Sequence, residues 1–113
     1  MEIFRGRAQL PGADKPWDVQ VEIEWSTKSV TVRIDEAPGS TREWAGSEVQ
    51  TYGTTEEIVF RTRGIPAVLT HWWHFTRRGA GNLRGVILAA PGDEGDWETC
   101  TVILSKVKYY GAR

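Results

Sequence analysis

Residues 17–25, Trp-Asp-Val-Gln-Val-Glu-Ile-Glu-Trp, alternate between apolar and polar positions without a break. Trp17, Val19, Val21, Ile23 and Trp25 share one parity, and Asp18, Gln20, Glu22 and Glu24 the other. A two-residue period predicts a strand with one dry face and one wet face. A polar turn over Ser26–Lys28 then leads into Val30, Val32 and Ile34, which alternate with Thr31, Arg33 and Asp35. Residues 17–35 therefore read as a β-hairpin, and the rest of the chain follows from it.

Upstream, Phe4, Gly6, Ala8 and Leu10 alternate with Arg5, Arg7 and Gln9 before a break at Pro11–Pro16. Downstream, a loop around Pro38-Gly39 precedes Ser40-x-x-Glu43, a capping-box pattern that predicts a helical turn through Trp44. A strand is expected over Glu48–Tyr52, and another from Ile58 to Arg63. Ile65–Arg78 contains His-Trp-Trp-His at 71–74. Pro66 forbids a helix interior there, and the β-branched and aromatic content suits a strand. Leu69, His71, Trp73 and Phe75 then lie on one face, with Val68, Trp72 and His74 on the other. The returning run Leu83–Ala90 is likewise apolar on both parities, which predicts two central strands covered on both sides. A one-residue bulge at Gly85 would exchange their faces. The last strand starts at Trp97, with Cys100, Val102 and Leu104 inside and Lys106 and Lys108 reaching water.

About eight sequential strands with short connections, no terminal helix and no repeat predict an all-β fold, a single antiparallel up-and-down barrel over 1–113. In strand count and order this resembles the calycins (lipocalins, fatty-acid-binding proteins, avidins). The resemblance implies a barrel able to hold one small ligand and carries over no residue, because no diagnostic motif of those families is present. A barrel of the pleckstrin-homology type and a β-sandwich are the alternative architectures.

Composition narrows the function classes. The net charge is −1, with five arginines and no acid between Ile58 and Gly92 and a balancing acidic excess before it. Basic strand faces set against acids such as Asp18, Glu22 and Glu24 account for this better than a nucleic-acid face does. Cys100 is alone, so no disulfide framework exists, and no apolar run approaches a leader or a membrane span. The reducing cytoplasm is the expected setting.

No dinucleotide, phosphate-loop or nucleophile-elbow motif occurs, and Gly79-x-Gly81 leads into a strand rather than a helix. Asp93, Glu94, Asp96 and Glu98 lack the spacing of a calcium loop. His71 and His74 oppose each other on a strand, so they cannot share one metal ion. Cys100 beside His71 or His74 would be the one route to nucleophilic catalysis, and an inert buried thiol is the simpler reading. Neither cofactor nor metal is expected.

Two functions remain. One is a binding module in which Trp17, Trp25, His71, Trp73 and Phe75 line the lumen around a small, partly apolar ligand, with Arg61, Arg63 or Arg84 meeting an anionic group at the mouth. The other is a structural interaction domain with an indole-filled lumen. It would dimerise through an outer patch of Val68, Trp72, Val86 and Leu88 on the two central strands.

Overall fold

A computed structural model describes residues 1–9, 15–35, 41–52, 56–63, 70–78, 81–90 and 98–107, with the side chains of Arg63, Thr70, Arg78, Ala89, Ala90, Glu98 and Thr99 excepted. The expectations for Leu10, Val68, Leu69, the acidic run 93–96, Trp97 and Lys108 lie outside these residues. The strands are β1 (Glu2–Ala8), β2 (Trp17–Glu24), β3 (Ser29–Asp35), β4 (Thr41–Ala45), β5 (Ser47–Tyr52), β6 (Glu57–Arg63), β7 (Thr70–Arg78), β8 (Asn82–Ala90) and β9 (Glu98–Lys106).

They form one antiparallel sheet in the order β4-β3-β2-β1-β9-β8-β7-β6-β5. The two strands at its extremes, β4 and β5, are neighbours in the chain with only Gly46 between them. The sheet thus rolls into a nearly closed barrel through a single bent segment, 41–52, whose first half pairs with β3 and second half with β6. The expected eight strands become nine because that segment is split at its corner. Gly46 donates its N–H to the Val30 carbonyl at 2.9 Å, and a Cβ there would come within 3.0 Å of the Phe60 ring and 3.1 Å of Val30. Only a residue without a side chain turns this corner without displacing the core. A register shift between Ser47 and Gln50, with Glu48 at φ 52°, adds the local twist.

The helical turn expected through Trp44 is not formed; Thr41–Ala45 is strand β4. A five-residue helix would not repay its nucleation, whereas in a strand Trp44 sits opposite Val32 and packs against the core. The hairpin is observed with Val19 opposite Ile34, Val21 opposite Val32 and Ile23 opposite Val30. Trp25 belongs to its turn rather than to β2. The β7–β8 register runs unbroken from Thr70↔Ala90 to Arg78↔Asn82, so no bulge at Gly85 exchanges the faces.

One parity of every strand from β1 to β3 and from β6 to β9 fills the interior. Phe4, Val21, Ile23, Val32, Ile34, Ile58, Phe60, Trp73, Phe75, Leu83, Ile87 and Leu104 are essentially inaccessible. At roughly 1.5–3 kcal/mol for each large apolar side chain removed from water, this interior is the main stabilising element. Lys106 departs from the expectation that it reaches water. It shares the inner parity of Leu104 and, at the strand's end, turns its ammonium onto Glu2 at 3.0 Å.

Charge pairing also differs from the acids named from sequence. Arg61 meets Glu48 at 3.1 Å, Arg77 meets Glu2 and Glu56, and His74 meets Glu57 at 3.3 Å. Asp18 pairs with Arg7, and Glu24 with the N-terminal ammonium. The sheet order explains the exchange: β6 lies between β5 and β7, while β2 is four or more strands away from both β6 and β7.

Candidate functional site

Three surfaces carry side chains capable of recognition: the barrel interior, the outer wall of β7 and β8, and the outer wall of β1 to β4.

In the interior, His71, Trp73 and Phe75 point inward from β7 and each has 0% exposure. That value excludes contact with an internal void of water size as well as with bulk solvent. The Trp73 ring stacks on Phe60 at 5.7 Å and 10°, and Phe75 closes the triangle at 6.1 Å from Trp73 and 6.4 Å from Phe60. Trp73 Nε1 donates to Thr62 Oγ1 at 2.8 Å, so the indole is satisfied within the barrel. Trp17 and Trp25 lie at opposite ends of the wall formed by β1 and β2, where Trp17 faces Ala8 and Trp25 donates to Glu2. The interior therefore brings His71, Trp73 and Phe75 together with Phe60 and leaves Trp17 and Trp25 at the two rims. Phe60 and Thr62 were legible as the same-parity partners of Ile58.

The arginines lie elsewhere. Arg61 is on the outer wall, its guanidinium 5.5 Å over the Trp72 ring. Arg84 is exposed, opposite Thr76 and Ile103. The backbone of Arg63 pairs with Thr70 at the end of β6.

The outer wall of β7 and β8 places Trp72 directly across from Leu88, with Val86 one step along and His74 opposite it. Trp72, Val86 and Leu88 are half-buried by their neighbours. On β9 the same face runs through Thr101, opposite Val86, to Ile103, 55% exposed and opposite Arg84, and on β6 to Val59, opposite His74. Ile103 and Val59 extend the patch on either side and share the outward parity of their strands.

Cys100 points inward beside Ile87 and packs against the core. Burial raises its thiol pKa. Strand β8 lies between it and His71, and His74 is on the other face, so neither histidine is its strand neighbour. Among the described residues no cluster of three or more histidine, cysteine or acidic side chains is placed to hold a metal ion. No helix among the described residues is long and apolar enough to cross a membrane.

The outer wall of β1 to β4 is mostly polar, with Ile3 and Ala45 the apolar positions of that parity. Cross-strand neighbours form two rows, Arg5–Gln20–Arg33–Glu43 and Arg7–Asp18–Asp35–Thr41. Between them lies a recess of about 490 Å³. No protein-family model, curated protein or solved structure matches this chain.

Proposed function

We propose that this chain is a non-catalytic interaction domain that works as a homodimer, two copies meeting through the outer faces of β7 and β8. The observation that carries it is the Trp72–Leu88 cross-strand pair, with Val86 beside it and Ile103 standing 55% exposed on the next strand. These side chains add nothing to an interior that Trp73, Phe75 and Ile87 already fill, and large clustered apolar groups on an outer wall mark a contact surface. Two copies of one patch are self-complementary about a two-fold axis, the commonest closed assembly. An indole with Arg61 over its face is also the residue type that anchors interfaces. A cytoplasmic setting fits the single cysteine.

Sedimentation equilibrium over a range of concentrations tests this. The wild type is expected at twice 12.7 kDa, and Trp72→Glu and Leu88→Glu as folded monomers with unchanged circular dichroism. A wild type that stays monomeric into the high micromolar range overturns the reading.

A second reading, a small and partly apolar ligand held by the aromatic set, is favoured by one observation. Trp17 Nε1 is buried without a hydrogen-bond partner among the described residues. An acceptor on a ligand at that rim would satisfy it. Native mass spectrometry of the protein as purified, followed by tryptophan-fluorescence titration, decides this reading: a bare mass and an unresponsive spectrum remove it.

A further inference from the structure

We infer that the recess on the outer wall of β1 to β4 binds a small polar organic anion, a carboxylate or phosphate monoester that also carries hydroxyl or amino groups. The inference is independent of dimerisation, which uses the β7–β8 wall.

The floor of the recess is Gln20. It faces outward from β2 yet is only 9% exposed, and both ends of its amide are hydrogen-bonded. Its Oε1 accepts from Arg5 Nε at 2.5 Å and its Nε2 donates to Glu22 at 2.7 Å. Arg5 and Arg33 flank it from the neighbouring strands, each about 4.8 Å away across the sheet. Two guanidinium groups thus stand on either side of one buried amide.

Their charges are not equally spent. Arg33 reaches Glu43 through Nη2 at 3.1 Å. Its Nε, by contrast, is buried with no hydrogen-bond partner among the described residues. The Arg33 side chain as a whole is 40% exposed, so its other N–H groups can meet an incoming oxygen. Arg5 is held only by the neutral amide oxygen of Gln20 and pairs with no carboxylate among the described residues. One cation without a carboxylate partner among the described residues and one partly exposed guanidinium, on opposite walls of a recess, fit an oxyanion, which guanidinium groups bind with paired, charge-assisted hydrogen bonds.

The other end of the recess defines the rest of the ligand. Asp18 is held by Arg7 at 3.2 Å, and Asp35 accepts from the Thr41 hydroxyl. Each carboxylate keeps further acceptor capacity, which suits hydroxyl or ammonium groups. The two aspartates would repel a polyanion, so a nucleic-acid strand does not fit. At about 490 Å³ the recess is within the range of small-molecule sites and larger than an inorganic ion needs.

Arginine Nε–Hε resonances, followed by NMR at fixed ionic strength, test the inference. The probes are inorganic phosphate, ribose 5-phosphate and glutamate, with sodium chloride as control. Saturable shifts at Arg5 and Arg33 are expected with ribose 5-phosphate or glutamate, whichever head group the recess takes, and weaker ones with inorganic phosphate. Arg5→Gln and Arg33→Gln should each weaken binding by about tenfold, the scale of one charge-assisted hydrogen bond. Asp35→Asn should weaken the organic probes and leave inorganic phosphate unchanged. If the wild type shows only the sodium chloride response with all three probes, or shifts equally in both arginine variants, the inference is wrong.

Discussion

Arg77 and Glu2, 75 positions apart in the chain, form a doubly hydrogen-bonded ion pair that ties β7 to β1 at one end of the barrel. Lys106 joins from β9 at 3.0 Å, and the indole N–H of Trp25 donates to the same carboxylate at 2.7 Å. The Arg77 guanidinium also lies 5.0 Å over the Trp25 ring. Burial alone would raise the Glu2 pKa, but the Lys106 and Trp25 hydrogen bonds and the Arg77 and Lys106 charges outweigh it, and the carboxyl titrates below its usual 4.5. Its folded pKa is thus depressed, so the stability it adds is fully present above 4.5 and is lost as the pH falls through the folded value. Glu2→Gln is expected to cost about 1–3 kcal/mol at pH 7, lowering the melting temperature by several degrees. The difference from wild type should narrow below pH 4.5. Thermal melts at pH 7 and pH 3 check both statements, and equal melts at pH 7 would mean the cluster is only a surface pairing.

Trp73 and Thr62 supply a buried polar contact at the aromatic triangle. Thr62→Val keeps the shape and strands the indole N–H, at a cost of about 1–3 kcal/mol. Trp73→Phe removes the donor and leaves a void, costing more through the lost volume. In the double variant the stranded donor is gone, so the two losses should add to less than their sum. Denaturant melts of the four proteins measure that coupling, and strict additivity would show that the hydrogen bond contributes nothing.

The hairpin 17–35 was legible because β2 and β3 each have one wet side, so alternation survives in the sequence. β7 and β8 were harder, since Trp72 and Leu88 are as apolar as Trp73 and Ile87. Parity alone could not say which set faced in. The corner at Gly46 was missed for another reason. Ser40-x-x-Glu43 is a local helix signal, and the pairing of Trp44 with Val32 that overrides it is tertiary. The recess at Arg5, Gln20 and Arg33 left no motif at all. Its residues come from three strands and meet only through register.

Cys100 is expected to be a slow nucleophile. Burial raises its pKa above the ordinary thiol value of 9.0, and the thiolate is the reacting form. Iodoacetamide at pH 8 should therefore label the folded chain more slowly than the urea-unfolded chain by about tenfold or more, as reduced ionisation and restricted access both act. Equal rates in the two states would show the thiol to be open and unperturbed.

Gly85 is the position where a single methyl group should do most harm. It faces inward between Phe75 and Val102, and a Cβ built there would overlap the His74 carbonyl oxygen and its carbon. The obstacle is backbone on the adjacent strand, so no rotamer change relieves it, and β7 and β8 would have to part along a ladder of nine paired residues. Gly81, in the turn before β8, has nothing within 4 Å of the same added atom. Gly85→Ala should therefore lose folded protein or melt far below wild type, with a cost of more than about 3 kcal/mol, in the class of severe overpacking. Gly81→Ala should melt within a few degrees of wild type. Comparing the two by thermal melts isolates steric overlap from the generic entropy change of replacing glycine. A Gly85→Ala protein as stable as Gly81→Ala would mean that β7 and β8 are not held at the close spacing that fixes Trp73 inside and Trp72 outside.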